Sequence, residues 1–121
     1  MCGIAGIVDR NGLREIEPDA LARMGRAIRH RGPDESGQLL QPGLGLLSQR
    51  LSIVGLADGR QPLFNEDRTV AVVCNGELFD YPERRSELQA RGHRLATSTD
   101  TEILVHLWEE HQEAFFSCLK G

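Results

Sequence analysis

The run TVAVVC, residues 69–74, constrains the fold most. It is apolar and β-branched along its length, so it reads as a central strand with a packed layer on each side. A chain of 121 residues can build that arrangement once, as a single domain with a modest core. The rest of the sequence alternates strand-like and helix-like patterns around it. GIAGIVD (3–9) reads as a first strand, buried from its start and closed by the turn DRNG. Residues 17–32 read as a helix, with Pro18 in its first turn and Leu21, Met24 and Ile28 on one face; Gly32-Pro33 stops it. Residues 43–56 give one or two strands, and 57–68 a loop with NEDR as a hairpin turn. YPERRSELQARG (81–92) reads as a short helix, HRLAT (93–97) as a strand, and 98–121 as a last helix with Ile103, Leu107 and Trp108 on one face. The order β-α-β-β-β-α-β-α predicts an α+β or layered α/β fold.

Composition excludes several classes. Net charge is −4 and the basic residues are scattered, which argues against nucleic acid. The cluster IRHRG lacks the aromatic platforms that read single strands. No basic region precedes the short apolar run at the start, and no stretch approaches the roughly 18 apolar residues of a membrane span. The expected location is the cytoplasm. Cys2, Cys74 and Cys118 are odd in number and far apart, so they form neither a disulfide framework nor a C-x-x-C metal pattern. Cys74 and Cys118 sit in apolar contexts and are expected as small core residues. No metal site is expected.

Cys2 follows Met1, and its small side chain is the setting in which methionine is normally trimmed. Trimming would leave one residue with a thiol and a free α-amine. The thiolate is a nucleophile, and the amine can act as its base. A packed strand cysteine is the other reading. Asn75-Gly76 follows the central strand. A glycine N–H beside an asparagine amide can build an oxyanion hole; Asn-Gly is also the commonest hairpin turn. Thr99 and Glu102 have capping-box spacing, which makes Asp100 a first-turn carboxylate, and Asp100 can also hold an ammonium group. Arg50 interrupts an apolar strand. Its planar fork suits a ligand carboxylate, and an edge-strand arginine facing solvent is the alternative. In HRGPDESG, a polar loop, His30, Arg31 or Asp34 can serve substrate or scaffold. Together, a nucleophile, an oxyanion hole, a carboxylate binder and an ammonium binder describe a site for an α-amino acid whose side chain carries an acyl group.

MCGIAGIVD, RHRGPDESG, RLSIVGL, QPLFNED, NGELFDYPERRSEL, GHRLATSTDTEILVHLWEE and LKG, in that order, resemble the N-terminal class II glutamine amidotransferase domain of glutamine-hydrolysing asparagine synthetases, an N-terminal-nucleophile hydrolase. The likeness covers nearly the whole chain, and the RGPD form separates it from the glucosamine-phosphate and phosphoribosylamine branches. It implies an α+β fold, a layered α/β/β/α sandwich incomplete at the C-terminal end. It implies that residues 1–121 are part of the amidotransferase domain, that further core strands follow LKG, and that the synthetase domain, with its ATP and Mg, is absent; no cofactor is implied for this chain. By the same resemblance Cys2 takes the glutamyl group as a thioester and releases ammonia. Asn75 and Gly76 form the oxyanion hole, Arg50 holds the glutamine α-carboxylate, and Glu77 and Asp100 bind its α-amine. The implied partners are glutamine and a synthetase domain or subunit, or self-association, with neither nucleic acid nor membrane. The other function open to such a chain is a truncated, non-catalytic module with a binding or regulatory role. Gly55 stands where the family usually shows an aspartate.

Overall fold

The computed structural model describes residues 1–51 and 58–121. The expectations for Gly55 and for a strand through SIVGL fall outside the described residues. The fold is α+β, and the chain divides into two compact units. Of the described residues, the first unit holds 1–51, 60–62 and 73–75, and the second 58–59, 63–72 and 76–121.

In the first unit, β1 (Gly3–Val8), β2 (Glu35–Gln41) and β3 (Leu44–Arg50) form an antiparallel sheet in the order β1-β3-β2. The register runs from Gly3↔Gln49 to Val8↔Leu44 on one side of β3, and from Glu35↔Arg50 to Gln41↔Leu44 on the other. β2 begins inside HRGPDESG, which reads as a polar loop, and runs on through residues to which the sequence assigns no element. Its Ser, Gly and Gln residues carry little strand signal, and β3 supplies the partner that fixes it. Pro42 and Gly43 close the β2–β3 hairpin, Gly43 at φ +76°, where an L side chain is strained. The DRNG turn is held by Asp9, whose carboxylate accepts from the N–H groups of Asn11, Leu13 and Arg14.

α1 (Pro18–Ile28) packs on this sheet. Its buried stripe is Leu21, Gly25 and half-buried Ile28; Met24 is exposed, against expectation. Gly25 explains the rotation. A Cβ there would lie 2.7 Å from Leu47 Cδ1, so the helix approaches β3 through its glycine. β1 is not a buried strand. Gly3 faces α1, while Ile4 (46% exposed) and Val8 (68%) point to the other face.

In the second unit, β4 (Leu63–Phe64) pairs with β5 (Ala71–Val72) in a two-stranded antiparallel ladder. The connecting turn is NEDR, as expected. The expected central strand 69–74 is thus only two paired residues, both half-buried, because the described partner strand is itself two residues long. No strand forms at HRLAT. Its backbone N–H groups go to carboxylates instead: Arg94 donates to Glu66, and Ala96 and Thr97 to Glu102. α2 (Tyr81–Ala90) runs nearly as expected, with Arg84 bonded to Asp80 and Glu87. α3 (Ile103–His111) is buried from Ile103 to Leu107 on every side rather than on one face. It gives way to a 3₁₀ helix at Gln112–Cys118, where Trp108 meets Phe115 edge to face at 5.5 Å. Half of the expected capping box forms. Glu102 N–H donates to Thr99 Oγ1 at 3.4 Å, but the Glu102 carboxylate turns to Ala96 and Thr97. Cys74 and Cys118 are half-buried, not core.

Candidate functional site

The antiparallel register brings Cys2, Glu35 and Arg50 to the same end of the first sheet. Cys2 immediately precedes β1, Glu35 starts β2 and Arg50 ends β3. Cys2 is half-buried, and its Sγ is 3.4 Å from the Leu51 N–H that donates to it and 3.6 Å from the Leu51 carbonyl. Arg31 Nε donates to the Cys2 carbonyl at 3.1 Å. The RGPD turn hugs β3: a Cβ on Gly32 would lie 2.2 Å from the Gln49 carbonyl oxygen, and Asp34 N–H donates to the Arg50 carbonyl. Arg31 and Asp34 therefore serve the scaffold through these contacts.

Arg50 is 6% exposed on the middle strand, which overturns the edge-strand alternative. Its Nη1 is 2.8 Å from Glu35 Oε2. A buried guanidinium needs a carboxylate, and Glu35 is one that the sequence reading missed; Glu35↔Arg50 pairing in register is the physical signal.

Asn75 is exposed. No strand follows it among the described residues, so Asn75-Gly76 is not a hairpin turn. The backbone just before it is fixed by Gln61, which is 6% exposed. Gln61 Nε2 donates to the Cys74 carbonyl at 3.1 Å, and Cys74 N–H donates to Gln61 Oε1 at 2.8 Å. The side-chain amide thus replaces a strand partner for Cys74.

Gly76, Glu77 and Asp100 belong to the second unit, and Gly76 and Glu77 are exposed. Asp100 is 6% exposed and held by its neighbours. Leu78 N–H donates to Oδ2 at 2.9 Å, and Thr101 N–H to Oδ1 at 2.8 Å. Thr101 Oγ1 also donates to Oδ1 at 3.4 Å, so three of the carboxylate's roughly four lone-pair sites are taken. The second unit also gathers Glu66, His93, His106 and Glu109, with one ligand atom of each within 4.8 Å of the others. No C-x-x-C spacing announced this cluster; the H-x-x-E pair on α3 was its readable trace.

A family model described as "Glutamine amidotransferase domain" matches residues 1–121. An asparagine synthetase [glutamine-hydrolyzing] 1 from Lotus japonicus is 38% identical over 121 residues, all of this chain and 20% of the relative. A similar protein from Sandersonia aurantiaca is 39% identical, with 23% of it covered, and asparagine synthetase [glutamine-hydrolyzing] 2 from Lotus japonicus is 41% identical over 122 residues, with 20% covered. The chain spans about a fifth of the length of the curated relatives it matches.

Proposed function

This chain belongs to the glutamine amidotransferase domain family, and from that premise we propose that it hydrolyses the side-chain amide of glutamine to supply ammonia for an asparagine-synthetase-type amidation. The observation that carries this reading is the family match along all 121 residues, which includes a cysteine at position 2.

In this proposal Met1 is removed and the new α-amine of Cys2 takes the thiol proton. The thiolate attacks the amide carbon of glutamine, and Asn75 and Gly76 donate to the oxyanion that forms. The C–N bond breaks, and nitrogen leaves as ammonia with the transferred proton. Water then cleaves the glutamyl thioester, which releases glutamate and restores the thiol. Arg50 holds the substrate carboxylate; its position at the same sheet end as Cys2, steadied by Glu35, supports that role. Glu77 and Asp100 hold the α-ammonium. The layered N-terminal-nucleophile sandwich belongs to the same proposal. Ile4 and Val8, exposed on the face of β1 away from α1, support it, because a second sheet would cover such a face. The amidation, with its ATP and Mg, is proposed for sequence that matches the remaining four-fifths of the relatives. No helix among the described residues is long and apolar enough to cross a membrane, and the cytoplasm is the proposed location.

The test is ammonia release from glutamine by the full-length protein. Cys2→Ala should lower turnover by about 10³-fold or more. A glutamine-like electrophile should label Cys2 and spare Cys74 and Cys118. Arg50→Ala should raise KM about tenfold, while Asn75→Ala should lower kcat by about 10²-fold. Equal labelling of wild type and Cys2→Ala would sink the assignment.

A further inference from the structure

One ligand atom from each of Glu66, His93, His106 and Glu109 lies within 4.8 Å of the others, somewhat wider than a filled coordination shell. The Nδ1 atoms of His93 and His106 are 3.2 Å apart. His106 Nδ1 is 3.4 Å from Glu66 Oε2 and 3.4 Å from Glu109 Oε2. His93 Nδ1 is 3.6 Å from Glu66 Oε1 and 3.6 Å from Glu109 Oε2. Four donors about 2.0–2.1 Å from a central ion at tetrahedral angles would be about 3.3–3.4 Å from one another. The two histidines and two glutamates are a suitable nitrogen and oxygen set for zinc.

The surroundings hold three of the four donors, Glu66, His93 and Glu109, in place from behind. His93 Nε2 is 2.9 Å from Glu110 Oε1, a carboxylate on its far nitrogen, whereas His106 Nε2 lies 3.8 Å from Glu102 Oε1 and is buried without a hydrogen-bond partner. The Glu110 bond leaves His93 Nδ1 free to face the centre as an acceptor. Asn65 Nδ2 donates to Glu109 Oε1 at 2.8 Å and turns Oε2 inward. Arg94 N–H donates to Glu66 Oε1 at 2.7 Å. His106 is completely buried.

A plain hydrogen-bond network explains these contacts less well. The two facing imidazole nitrogens can share one hydrogen bond, but Glu109 Oε2 is buried without a hydrogen-bond partner. A network of protons would supply that oxygen with one, whereas a cation takes all four donors at once.

We propose that Glu66, His93, His106 and Glu109 bind one structural zinc ion, which ties the NEDR turn and the HRLAT segment to α3. The proposal is independent of the glutamine reading. With four protein donors the shell is closed, so the ion would hold structure rather than activate water.

The experiment is elemental analysis of the full-length protein, purified without chelator and loaded with zinc. Wild type should retain one zinc per chain through gel filtration. His93→Asn and the isosteric Glu109→Gln should each lose it, with affinity at least about tenfold weaker. Cobalt should replace zinc and give the intense visible bands of a four-coordinate site in wild type alone. Zinc in excess of its Kd should raise the wild-type melting temperature by about 10 °C and leave the variants little changed. Circular dichroism of Glu109→Gln separates loss of metal from loss of fold. The proposal is overturned if zinc-loaded wild type holds none, or if wild type and a folded Glu109→Gln hold it equally.

Discussion

In the first unit the backbone is satisfied strand to strand, whereas in the second much of it is satisfied by side-chain carboxylates. β3 is paired on both sides from Leu44 to Gln49 and on the β2 side through Arg50. Among its described residues the second unit has one ladder of two residues, and Glu66, Asp100 and Glu102 take the N–H groups of Arg94, Leu78, Thr101, Ala96 and Thr97. The difference determines how each can fail. A sheet with close glycine contacts fails by sterics, because a neighbouring backbone cannot move aside. A carboxylate hub fails when one side chain is removed and several partly buried donors lose their partner together.

The largest effect should come from breaking the sheet unit. At Gly32, a Cβ would lie 2.2 Å from the Gln49 oxygen and 2.6 Å from the Arg50 carbonyl carbon, both in the backbone of the middle strand. Gly32→Ala should cost about 3 kcal/mol or more, at the upper end of overpacking effects. Chemical denaturation should show it as a large fall in midpoint. Gly12→Ala is the contrast: nothing lies within 4 Å, and only φ +66° resists, so it should cost about 1 kcal/mol. Equal losses would mean that the close approach at Gly32 relaxes.

The hub comes next. Glu102 is 1% exposed and accepts from Ala96 N–H at 2.7 Å, Thr97 N–H at 2.7 Å and Thr97 Oγ1 at 2.6 Å. Glu102→Ala removes the shared acceptor of all three and should cost about 2–3 kcal/mol. Hydrogen exchange should locate the loss, with Ala96 and Thr97 amides deprotected before those of β3. Deprotection that begins in β3 would remove the distinction between the two units.

The same contrast sets what could be read in advance. β1, α1, α2 and the start of α3 carry their own signals: periodicity, a first-turn proline, a stop glycine. β2 does not, since its strand character comes from pairing with β3. HRLAT alternates like a strand, but no sequence pattern says that Glu66 and Glu102 will take its N–H groups. Of the candidate site, Cys2 and Arg50 stood out in the sequence as isolated oddities. Glu35, Gln61 and the histidine pair did not, because each matters through a partner at least 13 residues away.

The smallest effect should come from a device common to both units. Asp9 in the first and Asp67 in the second each cap a turn with an exposed carboxylate. The Arg14 N–H bond is the main reason that Asp9 titrates below 3.8, and the Thr69 hydroxyl bond is the main reason for Asp67. A carboxylate whose folded pKa is lowered adds stability that is fully present above its unfolded pKa. That stability is lost as pH falls through the lower folded value. Both turns should therefore hold at neutral pH and loosen only below about pH 4. Melting temperature followed from about pH 6 to about pH 3 should fall less steeply at its acid end in Asp9→Ala and in Asp67→Ala than in wild type. Because the two carboxylates act in the same way, the two variants should flatten that limb to a similar small extent. A flattening confined to Asp67→Ala would show that acid sensitivity belongs to the carboxylate-rich unit and would sharpen the comparison. No flattening in either would mean that these exposed turns make their hydrogen bonds equally well in the unfolded chain.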